Sequence, residues 1–278
     1  IVLNAYYDSI SVVPELAAGA NQATGIATLL EITRVLKQNP PARSVVIVAN
    51  GAHFQLLTGF RKFINLISVK HSTRYKIVGA KQAALFKQYP FLKRIQQHST
   101  AIKQRADGQA DEWVPLVISL DLDTQSKQFG VFQAGLYFWA EHLIRFFSPV
   151  GKHFTEIYGQ VYKNLPHVFP RNIPLEDFYI DCINPTKEKK WADRTPSCYD
   201  AEMAVYQGLN AVSLATINTS RDVIDTPIDT LDKINWDNLR YQVYGITGLL
   251  AVVLSHPETT GEALHRLGKL RYEIEIVC

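Results

Sequence analysis

The chain has 278 residues, 47% of them hydrophobic and 20% charged, which suffices for one large domain with a sizeable core or for two small ones. Its longest strongly apolar stretch towards the C-terminus, ITGLLAVVLS at 246–255, is too short to cross a bilayer and is typical of a buried helix. The net charge is only +3, but this value conceals an uneven distribution of charge along the chain.

Segments with the composition of β-strands recur along the chain. The first is IVLNAYY (1–7), and SVVIVAN (44–50) is a continuous apolar run that predicts a strand buried on both faces. PLVISLDLD (115–123) and LNAVSLAT (209–216) predict further strands, and QFGVFQAG (128–135) predicts either an extension of 115–123 or a hairpin. The last residues, KLRYEIEIVC, predict one more strand.

Helical segments separate these strands. Apolar spacing predicts a helix that ends at Asn39-Pro40-Pro41, with an apolar face made of Ile26, Leu29, Leu30 and Leu36. Further helices are predicted at 59–67, at 76–104 with a break at Pro90, at 136–166 in two parts separated near Pro149, at 198–208 and at 235–256. This alternation predicts an α/β fold with a mixed, mostly parallel central β-sheet flanked by helices on both faces.

Basic residues are concentrated in one part of the chain. From Ile32 to Ala106 there are 14 Lys and Arg residues and no Asp or Glu, whereas the rest has 15 basic and 26 acidic residues. This pattern suits either a solvated helical face or a docking surface for an anionic membrane or a protein partner. The acidic remainder and the lack of a recognised motif argue against a nucleic-acid partner. The predicted basic docking surface comprises Arg61, Lys62, Arg74, Lys87, Lys93 and Arg94.

Two of the three cysteines, Cys182 and Cys198, bracket a polar loop, INPTKEKKWADRTPS. They are either a disulfide pair in an oxidising compartment or two separate thiols. Because both ends of the chain have the composition of core strands, we expect a piece of a longer, membrane-anchored protein. Its expected location is extracytoplasmic: periplasmic, lumenal or extracellular.

Six segments, in order along the chain, carry a resemblance to a known family. They are AYYDS (5–9), GANQATGIATLLEITR (19–34), SVVIVANGAHFQLLTG (44–59), VISLDLD (117–123), YDAEMAVYQGLNAVSLAT (199–216) and IDTPIDTLDKINWDNL (224–239). Together they resemble the M28 family of zinc exopeptidases, which are aminopeptidase-like and have a three-layer α/β/α fold. The resemblance implies a single domain over 1–278, with a basic insert at about 60–115.

The chemistry of that family requires two zinc ions bridged by an aspartate and a glutamate that acts as general base. By resemblance, the degenerate metal-site positions are Tyr6, Gln22, His53, Asp121 and Asp225, and the position of the base is Ala52. Only Asp121 keeps the residue type of the family ligand. Asp8 and Asp229 match positions that support the site without binding metal.

Two hypotheses of function follow from the resemblance. The first is a non-catalytic domain, a pseudoenzyme that binds or scaffolds a partner as the ectodomain of a membrane protein and needs no cofactor. The alternative is a zinc-dependent, aminopeptidase-like hydrolase with an atypical site that holds at most one zinc ion at His53, Asp121 and Asp225. In that case another acid, for example Glu15, would have to replace the missing base.

Overall fold

The computed structural model of the chain describes residues 1–10, 16, 18–67, 83–88, 90, 93, 116–133, 135, 141–184, 198–207, 209–224 and 226–255. The strand predicted for the last ten residues lies outside these ranges, as does most of the helix predicted at 76–104. Within that predicted helix, residues 83–88 are helical.

One mixed β-sheet forms the centre of the described structure. Its strands are β1 (Val2–Tyr6), β2 (Val46–Asn50), β3 (Leu116–Asp121), β4 (Phe129–Phe132), β5 (Tyr179–Asp181) and β6 (Asn210–Thr216), in the spatial order β2-β1-β3-β6-β4-β5. The pairs β1–β2, β1–β3, β3–β6 and β4–β5 are parallel, and β4–β6 is antiparallel. The mixed, mostly parallel sheet predicted from the sequence is therefore confirmed. Because β4 pairs with β6, it is neither an extension of β3 nor a hairpin with it.

Strand β2 corrects one prediction from the sequence. Its residues alternate between partial burial and exposure, with Ile47 37% exposed, so the strand is not buried on both faces. The reason is its place at the end of the described sheet order, where it pairs with β1 on one side. A continuous apolar run does not show whether a parallel strand lies in the middle of a sheet or at its edge.

The helices are α1 (Thr24–Gln38), α2 (Thr58–Ile67), α3 (Glu141–Asn164), α4 (Asp200–Tyr206) and α5 (Trp236–Ser255), with short 3₁₀ turns at Leu175–Asp177 and Leu231–Lys233. Helix α5 packs against α1 and α3, whereas α2 packs against α4. These two groups cover the sheet, as the α/β/α prediction requires. No helix within the described ranges combines the length and the apolar content that crossing a bilayer requires.

Helix α3 runs through Pro149 without interruption, so the two separate helices predicted for this region are wrong. A proline inside a helix removes one hydrogen bond and costs about 3 kcal/mol. Phe147, Val150 and Phe154 are buried on either side of it, and this packing compensates for the loss.

The hydrophobic core consists of the buried apolar side chains of the sheet and of the helices that pack on it. In α1, Leu29 and Ile32 are fully buried against the sheet, but Leu30 is 63% exposed and does not belong to the apolar face that we predicted. The spacing of apolar residues in α5 predicts a buried face of Leu239, Val243, Ile246, Leu250 and Val253; the last three are buried and the first two are half-buried.

Candidate functional site

The candidate site lies where the parallel strands β1, β2, β3 and β6 end. Their carboxyl ends lie at one edge of the sheet because all four run in the same direction. In open α/β sheets this edge is the usual place for a binding site. It brings together Tyr6 at the end of β1, Asp121 at the end of β3 and the loops that follow β2 and β6.

Asp121 accepts two hydrogen bonds at a single oxygen. Its Oδ1 is 3.0 Å from the Tyr6 hydroxyl and 2.9 Å from Nη1 of Arg221. The side chain is buried, and its Oδ2 has no hydrogen-bond partner in the part of the chain that the structure describes. The carboxylate is thus engaged by a phenol and a guanidinium of the same chain.

Arg221 reaches Asp121 from the loop after β6. Its side chain is 14% exposed, and its Nη2 lies 3.4 Å from the backbone oxygen of Asp121. Burial opposes the positive charge, but the attraction of Asp121 outweighs it and raises the pKa of the guanidinium above its ordinary value. Arg221 therefore places a permanent positive charge against Asp121.

Tyr6 connects the carboxylate with His53. The two rings are stacked, with centroids 3.9 Å apart and planes inclined by 22°. Burial, and next the negative charge of Asp121, raise the pKa of the Tyr6 hydroxyl well above its ordinary value. The Tyr6 hydroxyl is therefore a neutral hydrogen-bond donor to Asp121.

His53 is held by two carboxylates. Its Nδ1 is 3.0 Å from Oδ1 of Asp200, and its backbone N–H donates to both oxygens of Asp8, at 3.0 and 3.3 Å. Asp200 also accepts a hydrogen bond of 2.8 Å from Nδ2 of Asn4 on β1. Burial alone would lower the pKa of His53, but the hydrogen bond and charge of Asp200 outweigh it, with smaller contributions from Asp121 and Asp8, and the pKa is raised.

Neither Ala52 nor Gln22 carries a charge into the site. Ala52 lies in the turn after β2 with φ of 57°, in the left-handed region that disfavours residues with a Cβ. Gln22 is buried just before α1, and its Oε1 accepts a hydrogen bond of 3.2 Å from the backbone N–H of Ile10. A methyl group cannot accept a proton, and an amide cannot balance the charge of two cations.

Asp229 joins the loop before α5 to the start of α1. Its Oδ1 accepts hydrogen bonds of 2.8 and 2.9 Å from the backbone N–H and Nδ2 of Asn21, and its carbonyl accepts one of 3.0 Å from the N–H of Ala20. Asp8 holds His53 in a comparable way through the backbone. Both carboxylates therefore fasten loops at the rim of the site.

The structure brings Tyr6, His53 and Asp121 together and places Gln22 in contact with the neighbouring loop. Asp225 and Glu15 lie outside the described residues. In the described ranges, no three His, Cys, Asp or Glu side chains are grouped so that they could hold a metal ion. Because Asp121 is bound to Arg221 and Gln22 has no charge, the described residues do not fit the two-zinc centre of the family.

Sequence reasoning missed Arg221 and Asp200. Arg221 is the only Lys, Arg or His between Arg194 and Lys233, and this isolation was the available signal. Asp200 lies in a segment that we matched to the family, but only the fold places it beside His53, 147 residues away in sequence. No local pattern connects residues so far apart.

The predicted basic surface and the cysteines are partly described. Arg61, Lys62, Lys87 and Lys93 are exposed, and Arg74 and Arg94 lie outside the described ranges. Cys182 is buried in a small cluster with Tyr199, the neighbour of the half-buried Cys198. The disulfide stays a prediction.

Comparison with protein families matches residues 1–115 to Peptidase family M28. Comparison with curated proteins gave no match. Among solved structures, the zinc aminopeptidase BSAP from Bacillus subtilis is 13% identical with a TM-score of 0.53, and the alignment covers 91% of this chain and 46% of that one.

Weaker likenesses are found to two proteins of Legionella pneumophila. The LapA aminopeptidase is 13% identical with a TM-score of 0.48 over 92% of this chain and 51% of its own, and LapB is 15% identical with a TM-score of 0.46 over 91% and 52%. The chain thus spans about half the length of the structures that it matches. From its sheet, its helical layers and its similarity to BSAP, the chain has an M28 aminopeptidase-like fold.

Proposed function

We propose that the chain is a non-catalytic, peptidase-like domain that binds or scaffolds a partner as the ectodomain of a larger membrane protein. The observation that carries this proposal is the ion pair of 2.9 Å between Arg221 and Asp121. Asp121 is the one position at which the chain keeps the residue type of a family ligand. Its carboxylate is engaged by Arg221 and Tyr6 instead.

The chemistry of the surrounding positions supports the same proposal. Zinc-dependent hydrolysis needs a metal-bound water and a base that takes its proton. Ala52 provides no base, and Gln22 provides no negative charge to hold two cations together. Each loss alone would impair catalysis, and both losses together favour a domain without peptidase chemistry.

One observation favours the alternative, a peptidase-like hydrolase with an atypical single-zinc site. Histidines that bind zinc commonly donate their second ring nitrogen to a carboxylate, and His53 Nδ1 lies 3.0 Å from Asp200. This arrangement would leave the other ring nitrogen for a metal ion. The opposing observation is the guanidinium of Arg221, which places a positive charge at the Asp121 end of the same site.

Metal analysis and an activity assay on the purified chain distinguish the two proposals. We expect well under one equivalent of zinc and no hydrolysis of aminoacyl substrates above a protein-free blank. One equivalent of zinc that is lost in the His53→Gln variant would support the single-zinc alternative. Two bound zinc ions, or hydrolysis that a chelator abolishes, would contradict the non-catalytic proposal.

The partner that we propose is an anionic membrane surface, with an acidic protein surface as the other outcome of the test. Arg61 and Lys62 lie on the exposed side of α2, whereas Phe60 and Ile64 on the same helix are buried. Among the described residues, the ion pairs involve other basic side chains. An extracytoplasmic location is part of the same proposal.

A further inference from the structure

The guanidinium of Arg221 links three neighbouring strands at the site. Tyr6 ends β1, Asp121 ends β3, and Arg221 lies in the loop after β6, and these strands are adjacent in the sheet. We propose that the guanidinium of Arg221 replaces the metal ion as the positive charge that holds this edge of the sheet together. The inference deepens the proposed function, because it explains how the fold persists when the metal chemistry is absent.

The need for a cation follows from the burial of Asp121. This side chain is 3% exposed, and a buried carboxylate is costly unless it is paired or hydrogen-bonded. In a zinc enzyme, the metal ion provides the pairing charge for such a ligand. Here the ion pair of 2.9 Å with Arg221 provides it, and the Tyr6 hydroxyl adds a neutral hydrogen bond to the same oxygen.

The loop after β6 is shaped to present Arg221. Asn218 and Arg221 both have a left-handed backbone, with φ of 55° and 54°. The Arg221 N–H donates to Oγ1 of Thr219 at 3.2 Å, and the same hydroxyl lies 3.2 Å from Oδ1 of Asp123. An arginine in the left-handed region is uncommon, and its surroundings must stabilise that conformation.

The inference has two consequences. The edge formed by β1, β3 and β6 does not depend on a bound metal ion, so chelators should leave the stability of the protein unchanged. In addition, the contributions of Arg221 and Asp121 to stability should be coupled, so that the two residues act as one unit. Removing one partner leaves a buried, unpaired charge, whereas removing both charges together leaves none.

A double-mutant cycle tests this unit. The variants are Asp121→Asn, Arg221→Met and the two combined, and the readout is the Tm with and without chelator or added zinc. We expect each single variant to lose roughly 10 °C, and the double variant to recover at least half of that loss. The wild-type Tm should not change with chelator or with zinc.

The matched control is the exposed pair Arg240–Asp237, whose side chains are 54% and 78% exposed. The corresponding single and double substitutions of Arg240 and Asp237 should each change the Tm little, and the change in the double variant should equal the sum of the single changes. If Arg221→Met does not fold, folding of the double variant still supports the unit, and failure of the double variant overturns it. The proposed unit is also overturned if the Tm losses of the two single variants add up in the double variant, or if a chelator lowers the Tm of the wild type. Peptidase activity with the coupling intact would contradict the proposed function and leave the ion-pair unit standing.

Discussion

The ring of Tyr6 is stacked on the ring of His53, whose Nδ1 lies 3.0 Å from Asp200. By resemblance to the family, both rings stand at positions of metal ligands. In this chain, the Tyr6 hydroxyl contacts Asp121 and the His53 ring contacts Asp200, so both side chains bind carboxylates of the same protein. The stability of the site should therefore depend on protonation of His53 rather than on metal concentration.

The stability that His53 contributes should be greatest in mildly acidic solution. Because its folded-state pKa is raised, the contribution is complete below the unfolded pKa of about 6.5 and is lost as the pH rises through the folded value. The difference in free energy of unfolding between wild type and His53→Gln should shrink with rising pH, by about 1.4 kcal/mol for each unit that separates the two pKa values. Urea unfolding of both proteins at several pH values around neutrality measures this difference in free energy of unfolding.

His153 is the matched control for this experiment. Burial lowers the pKa of His153 despite the nearby Glu156. The pH dependence of its contribution to stability is therefore opposite to that of His53, and this contribution is lost as the pH falls below about 6.5. The difference between wild type and His153→Gln should shrink towards acidic pH. The same trend for both histidines would show that the contact with Asp200 does not determine the titration of His53.

Ala52→Gly should stabilise the protein. Ala52 has φ of 57°, and a Cβ in the left-handed region costs roughly 1 kcal/mol, which glycine avoids. We expect an increase of about 1 kcal/mol in the free energy of unfolding. Ala27→Gly, at an exposed position inside α1, is the control and should lose about 1 kcal/mol. A loss at both positions would mean that the turn after β2 is not strained.

A glutamate at position 52, which matches the family's base by resemblance, should not by itself confer peptidase activity. In Ala52→Glu the new carboxylate would have no metal-bound water to activate, because Gln22 and the ion pair of Asp121 are unchanged. Hydrolysis of an aminoacyl substrate should stay at the level of the protein-free blank with added zinc. Activity in this single variant would show that a metal ion is already bound and that our assignment of the ligand positions is wrong.

Cys182 and Cys198 should form a disulfide in protein made under oxidising conditions. Cys182 packs in one cluster with Tyr199, so the two cysteines lie in the same part of the fold. The bridge should stabilise the protein by roughly 3 kcal/mol. Non-reducing peptide mapping of Cys278→Ser, which removes the third cysteine, detects the linked peptide. Two unlinked thiols under those conditions would contradict the prediction.

Vesicles test the proposed docking surface. Co-sedimentation with anionic vesicles should be strong at low salt and weak at high salt, because each Lys or Arg near anionic headgroups contributes about 1 kcal/mol. Arg61→Gln combined with Lys62→Gln should weaken it. Lys152→Gln combined with Lys163→Gln, at exposed positions of α3, is the control. Binding that is absent at low salt, or indifferent to lipid charge, would leave the protein-partner proposal.

Local sequence predicted much of the fold and part of the site. The apolar run before Asp121 predicted β3, and Asn39-Pro40-Pro41 correctly marked the end of α1. Local signals were insufficient where packing overrides them. Helix α3 continues through Pro149 because its neighbours are buried, and β2 is partly exposed because of its place in the sheet.

The sequence by itself determined that, at the two positions matched by resemblance to the family's base and bridging ligand, Ala52 cannot accept a proton and Gln22 carries no charge. Only the tertiary structure decided which residues contact Asp121. Arg221 binds Asp121 across 100 residues of sequence, because parallel pairing of β3 with β6 places the ends of both strands at one edge. Long-range pairing of this kind depends on sheet order, and local composition contains no information about it.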